Sequence, residues 1–343
     1  MKKAIRTTLI VLSVLAIVAP LLFLCAYAVW TPPVYDETPN AELADKFAYL
    51  YSVEGPKVVL ISGSSMAYGM DSALLSERVG MPVVNFGLYA SLGSRLMLDL
   101  SRDAIGEGDI VVFAPETDSQ AYSLFFSARN TLQALDADHA MLFKIDSDNY
   151  PSLWGGLWEF CQGKLEYLRK GEKPDVSGTA MRRSNFNEYG DLDTELFPRN
   201  GLVQKMRRLG YDNTTPIRLS ASIVSDDFVS FFNEYVKEME KKGARVYFSF
   251  SPMNRGAIVA PDYVYVKGTV SFPRLTDDEV KGYADAFLSD LEELFDCAFI
   301  SDPNDYIMEP KYFYDTNFHL NNDGVPVRTN QLADDILAAL GNR

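Results

Sequence analysis

The sequence predicts an α/β fold in which a parallel sheet is covered by helices on both faces, with an apolar helix long enough to cross a membrane ahead of it. Three observations carry this expectation. Short continuous runs of Val, Ile, Leu and Phe recur along the chain, as expected of strands buried on both faces. They alternate with stretches whose apolar residues repeat at helical spacing, the order that builds a parallel sheet with crossover helices. Residues 9–30 carry no charged side chain at all.

That apolar run follows a basic head of Lys2, Lys3 and Arg6. At 1.5 Å per residue it reaches about 33 Å as a helix, enough for a hydrocarbon core of about 30 Å. Positive charge ahead of it keeps the N-terminus in the cytoplasm and sends the body outward. Ala26-Tyr27-Ala28 also offers a small-x-small cleavage pattern, so a cleaved signal peptide is the rival reading, but signal-peptide apolar cores are shorter. Cys25 invites a lipoprotein reading; Leu24 stands before it where a small residue is expected. Residues 31–38, with Pro32 and Pro33, read as a stiff juxtamembrane linker. The expected organisation is therefore an anchor over 1–30, a linker and lead-in over 31–50, and one α/β domain over 51–343.

Within that domain, Lys57-Val58-Val59-Leu60-Ile61 is the first strand, ending in Ser62-Gly63-Ser64-Ser65, a turn. Residues 82–86, 109–113, 245–249 and 298–300 supply four more strands. The clearest helix is 226–242, where Phe228, Phe231, Phe232, Tyr235, Val236 and Met239 share one face and Gly243 stops it. Further helices are expected around Leu92 to Leu100, over 277–295 and over 323–340. Residues 117–224 lack clean periods and read as an insertion of short helices, with a lid as one use. Its Trp154, Trp158, Phe160 and Tyr167 suit local core at helical spacing better than a sugar-binding groove. Asn213-Thr214-Thr215 matches a glycosylation acceptor.

Composition removes several functions. With 32 basic and 47 acidic residues the net charge is −15, which repels phosphate backbones and argues against nucleic-acid partners. Three cysteines, Cys25, Cys161 and Cys297, make neither a disulfide scaffold nor a zinc ribbon; outside the cell Cys161 and Cys297 are free to pair or not. Two histidines, His139 and His319, leave little for a multi-histidine metal centre, and no cofactor is expected.

In open α/β sheets ligands bind beyond the carboxyl ends of the strands. Those rims hold Gly63-Ser64-Ser65, then Asn85 to Ala90, then Glu116-Thr117-Asp118, and Asp315 to His319 before the last helix. A serine nucleophile needs a base to take its proton and an acid to fix that base's tautomer. Ser65, His319 and Asp315 fit those roles in that order.

On these residues the chain resembles the SGNH/GDSL hydrolases. Gly63-Ser64-Ser65 is similar to the block that carries the family's nucleophile, residues 85–90 to its second block, and Asp315 to His319, running on through Leu320-Asn321-Asn322-Asp323-Gly324, to its last. The likeness covers roughly 55–125 and 244–340. It implies a flavodoxin-like three-layer sandwich with Ser65 as nucleophile, an oxyanion donor at the Ala90 N–H, and oxyanion or substrate contacts from Asn85 and Gly87. With the N-terminal anchor, it is most similar to the extracytoplasmic branch that includes teichoic-acid D-alanylation and polysaccharide O-acetylation proteins. The departures are Ser64 for Asp, Ala90 for Gly, Glu116 in a block that lacks the oxyanion-binding Asn, and four residues rather than three between Asp315 and His319. A carboxylate repels an oxyanion, so Glu116 is expected to bind a substrate hydroxyl or to hold Ser65. The resemblance implies a membrane-anchored serine esterase or O-acyltransferase acting on cell-envelope carbohydrate. The alternative is a catalytically silent scaffold of the same fold in an envelope polysaccharide assembly complex.

Overall fold

A computed structural model describes the chain except for residues 1, 89, 198, 200, 210–214, 267–270 and 342–343. Tyr89 and the Asn213-Thr214 pair of the acceptor triplet lie outside the described residues.

The N-terminal helix α1 (Lys2–Trp30) leads through α2 (Glu42–Ser52) into β1 (Val58–Ser62). Then come α3 (Ser64–Ala67), α4 (Ser72–Val79), β2 (Val83–Gly87), α5 (Ser94–Ser101) and β3 (Ile110–Phe113). Between β3 and the next sheet strand lie α6 (Ala128–Leu135), α7 (Tyr150–Lys170), α8 (Gly201–Leu209) and α9 (Asp226–Lys241). The chain ends with β4 (Arg245–Phe248), α10 (Asp277–Leu294), β5 (Ala298–Phe299) and α11 (Gly324–Gly341).

These five strands form one parallel sheet in the order β2-β1-β3-β4-β5. Because side chains alternate across a strand, Val58, Leu60, Ile110 and Val112 pack on one face with Leu332 and Ile336 of α11. Val59, Ile61, Val111 and Phe113 pack on the other with α5 and α9. All five residues of β1 are buried, which is why its sequence carries no polar alternation. The apolar stripe predicted over 226–242 is the buried face of α9 except for Phe231, which is half-buried, and its start is fixed by the Ser225 side chain, which accepts the Phe228 N–H.

The insertion departs from the expectation of short helices, because α7 runs for 21 residues. Its glycines hid it from the periodicity. A Cβ on Gly163 would stand 2.6 Å from Tyr35 Oη, and one on Gly156 would stand 3.2 Å from Ala128 Cβ, so both glycines buy close approach to the linker and to α6 rather than breaking the helix. The three cysteines are free; Cys161 faces the Leu24 carbonyl of α1 and is not joined to Cys297.

The linker is fastened by a buried ion pair. Asp136, just after α6, accepts the Val34 and Tyr35 N–H groups at 2.7 and 3.1 Å through one oxygen and Lys164 Nζ of α7 through the other. Lys164 Nζ also donates to the Ala28 carbonyl at 2.9 Å, capping the last turn of α1. Asp136→Ala would strand a buried ammonium and two N–H groups. We expect it to cost about 3–5 kcal/mol in chemical denaturation of the full chain in detergent. The double change Asp136→Leu with Lys164→Met should recover part of that loss, since no charge then remains buried.

Candidate functional site

The order β2-β1-β3 means the chain leaves β1 toward one side of the sheet and returns at β3 to build the other. The crevice between the carboxyl ends of β1 and β3 is therefore the topological switch point, where open α/β sheets bind ligands. β1 delivers Gly63, Ser64 and Ser65 to it, and β3 delivers Glu116.

Glu116 organises the turn. It is 2% exposed, and its Oε1 accepts the Ser65 N–H at 2.7 Å and lies 3.5 Å from Ser64 Oγ. Of the two roles expected for Glu116, this is the one of holding Ser65. A Cβ at position 63 would stand 2.6 Å from Glu116 Oε1, so a larger residue there would have to push the carboxyl from its place on the Ser65 N–H. Burial pushes the Glu116 carboxyl above its ordinary range, opposed by the Ser65 N–H.

His319 is brought to Ser64, not to Ser65. Its Nε2 lies 2.8 Å from Ser64 Oγ and its Nδ1 lies 2.8 Å from Asp315 Oδ1. The hydroxyl that meets the imidazole is thus that of Ser64, where the sequence reading expected that of Ser65. Successive residues of a helix point about 100° apart, and α3 begins at Ser64, so the two buried serines meet different partners. Ser65 is wholly buried, with Oγ 3.2 Å from Ser62 Oγ, and its carbonyl accepts Arg328 Nη1 at 2.6 Å.

The four-residue separation of Asp315 and His319 is absorbed by a closed loop. Phe313 bridges Leu320, the Tyr314 N–H donates to the His319 carbonyl, and Thr316 Oγ1 accepts the His319 N–H at 3.1 Å. Asp315 is thereby folded back onto the imidazole. Asn317 turns away, its side chain bonded to Asn254 and to the Thr215 carbonyl, and takes no part in orienting the ring. Tyr68 meets the imidazole edge-on, centroids 4.9 Å apart.

The second-block residues separate. Asn85 is buried beneath the crevice, donating to the Met66 carbonyl and to Asp191 Oδ1 and accepting the Gly87 N–H; it supports α3 and does not face the serine. Gly87 lies under Met66, whose Cβ would be 2.5 Å from an added Cβ, so its role is packing. Ala90 does line a narrow pocket with Ser62, Gly63 and Glu116, and its carbonyl accepts Gln120 Nε2.

Two supporting residues escaped the sequence reading. Asp191 of the insertion accepts the Ser72 N–H and Oγ and the Asn85 amide, each at 2.7 Å, so the insertion underpins the start of α4 and the turn after β1. Nothing in its local pattern marks it. Arg328 did leave a signal: it falls on the apolar stripe of α11 with Val325, Leu332 and Ile336, a core position for a cation. Burial lowers it to about 10. Among the described residues no group of three or more His, Cys, Asp or Glu is placed to hold a metal.

A scan against family models finds no match to this chain, and a search of curated proteins finds no relative.

The raised Glu116 makes stability depend on pH. Its folded-state proton is held more tightly than in the unfolded chain, so its contribution is complete below the ordinary carboxylate range and is lost as pH rises through the raised value. Glu116→Gln should remove that part of the loss, so the variant should lose less stability than the wild type with rising pH across this window. The remainder comes from the other buried carboxyls, Glu42, Asp99, Asp118 and Asp191, which burial also raises. A series of denaturation midpoints measures the difference; parallel curves for the two proteins would contradict the assignment.

Proposed function

We propose that the chain is an anchored serine acyl-transfer enzyme of the SGNH type, an esterase or O-acyltransferase, with Ser64 rather than Ser65 as its nucleophile. The observation that carries this is the unbroken chain Ser64 Oγ, His319 Nε2, His319 Nδ1, Asp315 Oδ1, with 2.8 Å at both hydrogen bonds. Asp315 holds the Nδ1–H tautomer, which leaves Nε2 to take the Ser64 proton as Oγ attacks an acyl carbonyl. The imidazolium then gives that proton to the leaving alkoxide, and water or a sugar hydroxyl discharges the acyl-serine by the reverse route. The sheet order β2-β1-β3-β4-β5 is the 2-1-3-4-5 order of flavodoxin-like sheets, which supports the SGNH-like sandwich.

Glu116 suits this chemistry in its neutral form. A protonated carboxyl that accepts the Ser65 N–H on Oε1 keeps a proton on Oε2 to donate to a developing oxyanion, as an acid held neutral by an apolar site can. Activity then needs a neutral Glu116 and is lost as pH rises through its raised value.

Anchoring is supported by how the body is built on α1. Leu24 to Ala28 are covered by the domain, and Lys164 caps the Ala28 carbonyl, so cleavage after Ala28 would leave a buried ammonium short of an acceptor. This favours a retained anchor over a signal peptide. With the basic head inside, the domain lies outside the cytoplasmic membrane, where envelope carbohydrate is the acceptor class.

The second reading, a silent scaffold in an envelope assembly complex, draws on the same carboxyl: an ionised Glu116 seated in the crevice would repel an oxyanion. A fluorophosphonate probe separates the two. Labelling of the full chain in detergent that survives Ser65→Ala but is abolished by Ser64→Ala and by His319→Ala supports the enzyme, with a loss of at least about 10³-fold for either of the latter. Glu116→Gln should keep labelling at high pH where the wild type loses it. No labelling at any pH, with no turnover of acetyl esters, leaves the scaffold.

A further inference from the structure

All three tryptophans of the chain, Trp30, Trp154 and Trp158, lie at the junction of α1 with the insertion. They are 84%, 49% and 59% exposed, and Phe143 beside them is 80% exposed. Trp154 and Phe143 line a cavity of about 390 Å³ between the end of α1 and the α6–α7 pair. Its lining is almost wholly apolar and includes Cys25, Val29, Leu135, Leu142, Leu153 and Trp154. Such a space offers water few hydrogen-bond partners, and a bare aromatic patch around it marks an interaction site.

The position of this cavity along α1 says what fills it. Residues 5–23 are exposed throughout, and cover by the domain begins at Leu24. The bare stretch is about 28 Å long at 1.5 Å per residue, close to the thickness of a bilayer's hydrocarbon core at about 30 Å. Cover of α1 therefore begins close to where the hydrocarbon ends, and the cavity, lined on α1 by Cys25, Ala28 and Val29, lies just beyond that level. Moreover Cys161 meets Leu24 and Lys164 meets Ala28, so α7 runs in the same direction as α1. Moving back along α7 from Cys161 to Trp158 and Trp154 leads toward the membrane. Exposed tryptophan at that level matches the aromatic belt of membrane interfaces.

We propose that this cavity is a lipid site: it opens at the outer-leaflet interface and takes a hydrocarbon chain of a membrane lipid. The inference rests on the reading of α1 as a retained span. The polar clamp of Lys164 and Asp136 holds the cavity's walls together by tying α7 and the end of α6 to the end of α1. The insertion thus serves as a membrane-seated platform, with Trp154 at the rim and Phe160 at the back.

The full chain, reconstituted in phosphatidylcholine vesicles with or without bromine on the acyl chains, tests this by tryptophan emission. In Trp30→Phe/Trp158→Phe, Trp154 is the sole reporter and should lose emission in brominated vesicles. A second reporter of the span itself, Phe23→Trp with all three native tryptophans changed to Phe, should be quenched as well. Val29→Phe, which pushes a ring into the cavity from an exposed position, should reduce quenching of Trp154 and leave the Phe23→Trp reporter unchanged. Quenching at Phe23→Trp with none at Trp154 would overturn the lipid site while sparing the anchor. So would quenching of Trp154 that Val29→Phe does not alter, since the contact would then be surface only. If the protein fails to float with the vesicles and neither reporter responds, the anchor reading itself falls and takes this inference with it.

Discussion

A single backbone hydrogen bond, from the Ser65 N–H to the Glu116 carboxyl, sets the geometry on which the site depends. It joins the turn after β1 to the turn after β3 across the switch point, beside the pair of serines of which Ser64 meets the imidazole. With Ser65 drawn toward Ser62 and Arg328, Ser64 Oγ lies 2.8 Å from an imidazole 255 residues away in sequence, the contact itself being buried. The same contact favours glycine at 63, because any side chain there would displace the carboxyl. A buried acid is tolerable there because it is hydrogen-bonded and because its burial favours the uncharged form.

Around this contact the supports come from distant parts of the chain. Arg328 of α11 grips the carbonyls of Ser65 and Gly69, and Asp191 of the insertion grips Ser72 and Asn85. Lys46 of α2 extends the second network by donating to the carbonyls of Asn85 and Gly190, and burial lowers it to about 8. The crevice is thus braced from the last helix, the lead-in helix and the insertion together. The insertion is a structural part of the site and not only an appendage to it.

The sheet was legible because strands buried on both faces leave continuous apolar runs, and α9 was legible because its stripe is long and ends at a glycine. Edges shifted by a residue, as in β2, which runs to Gly87. His319 and Asp315 were legible as a pair because histidine is rare in this chain and both fall on a strand-end loop. The choice between Ser64 and Ser65 was not, since two adjacent hydroxyls on a turn look alike until the helix phase and the Glu116 contact are known. Asn85 and Gly87 resembled ligand-facing residues because they end a strand at the rim; their surroundings show a bracket and a packing position. The insertion hid its long helix because Gly155, Gly156 and Gly163 interrupt the pattern, while their purpose, close approach to α6 and to Tyr35, is tertiary.

The way residues 31–38 are held has a mechanical result. The two prolines looked like a spacer, but the backbone beyond them is pinned at Val34 and Tyr35 by the same carboxylate that meets Lys164. A globule on a loose leash would sweep through a hemisphere above its attachment point and meet ligands at any height. One bolted to its stalk keeps a constant tilt and elevation. The crevice between β1 and β3 is thereby held at a set distance and angle from the end of α1.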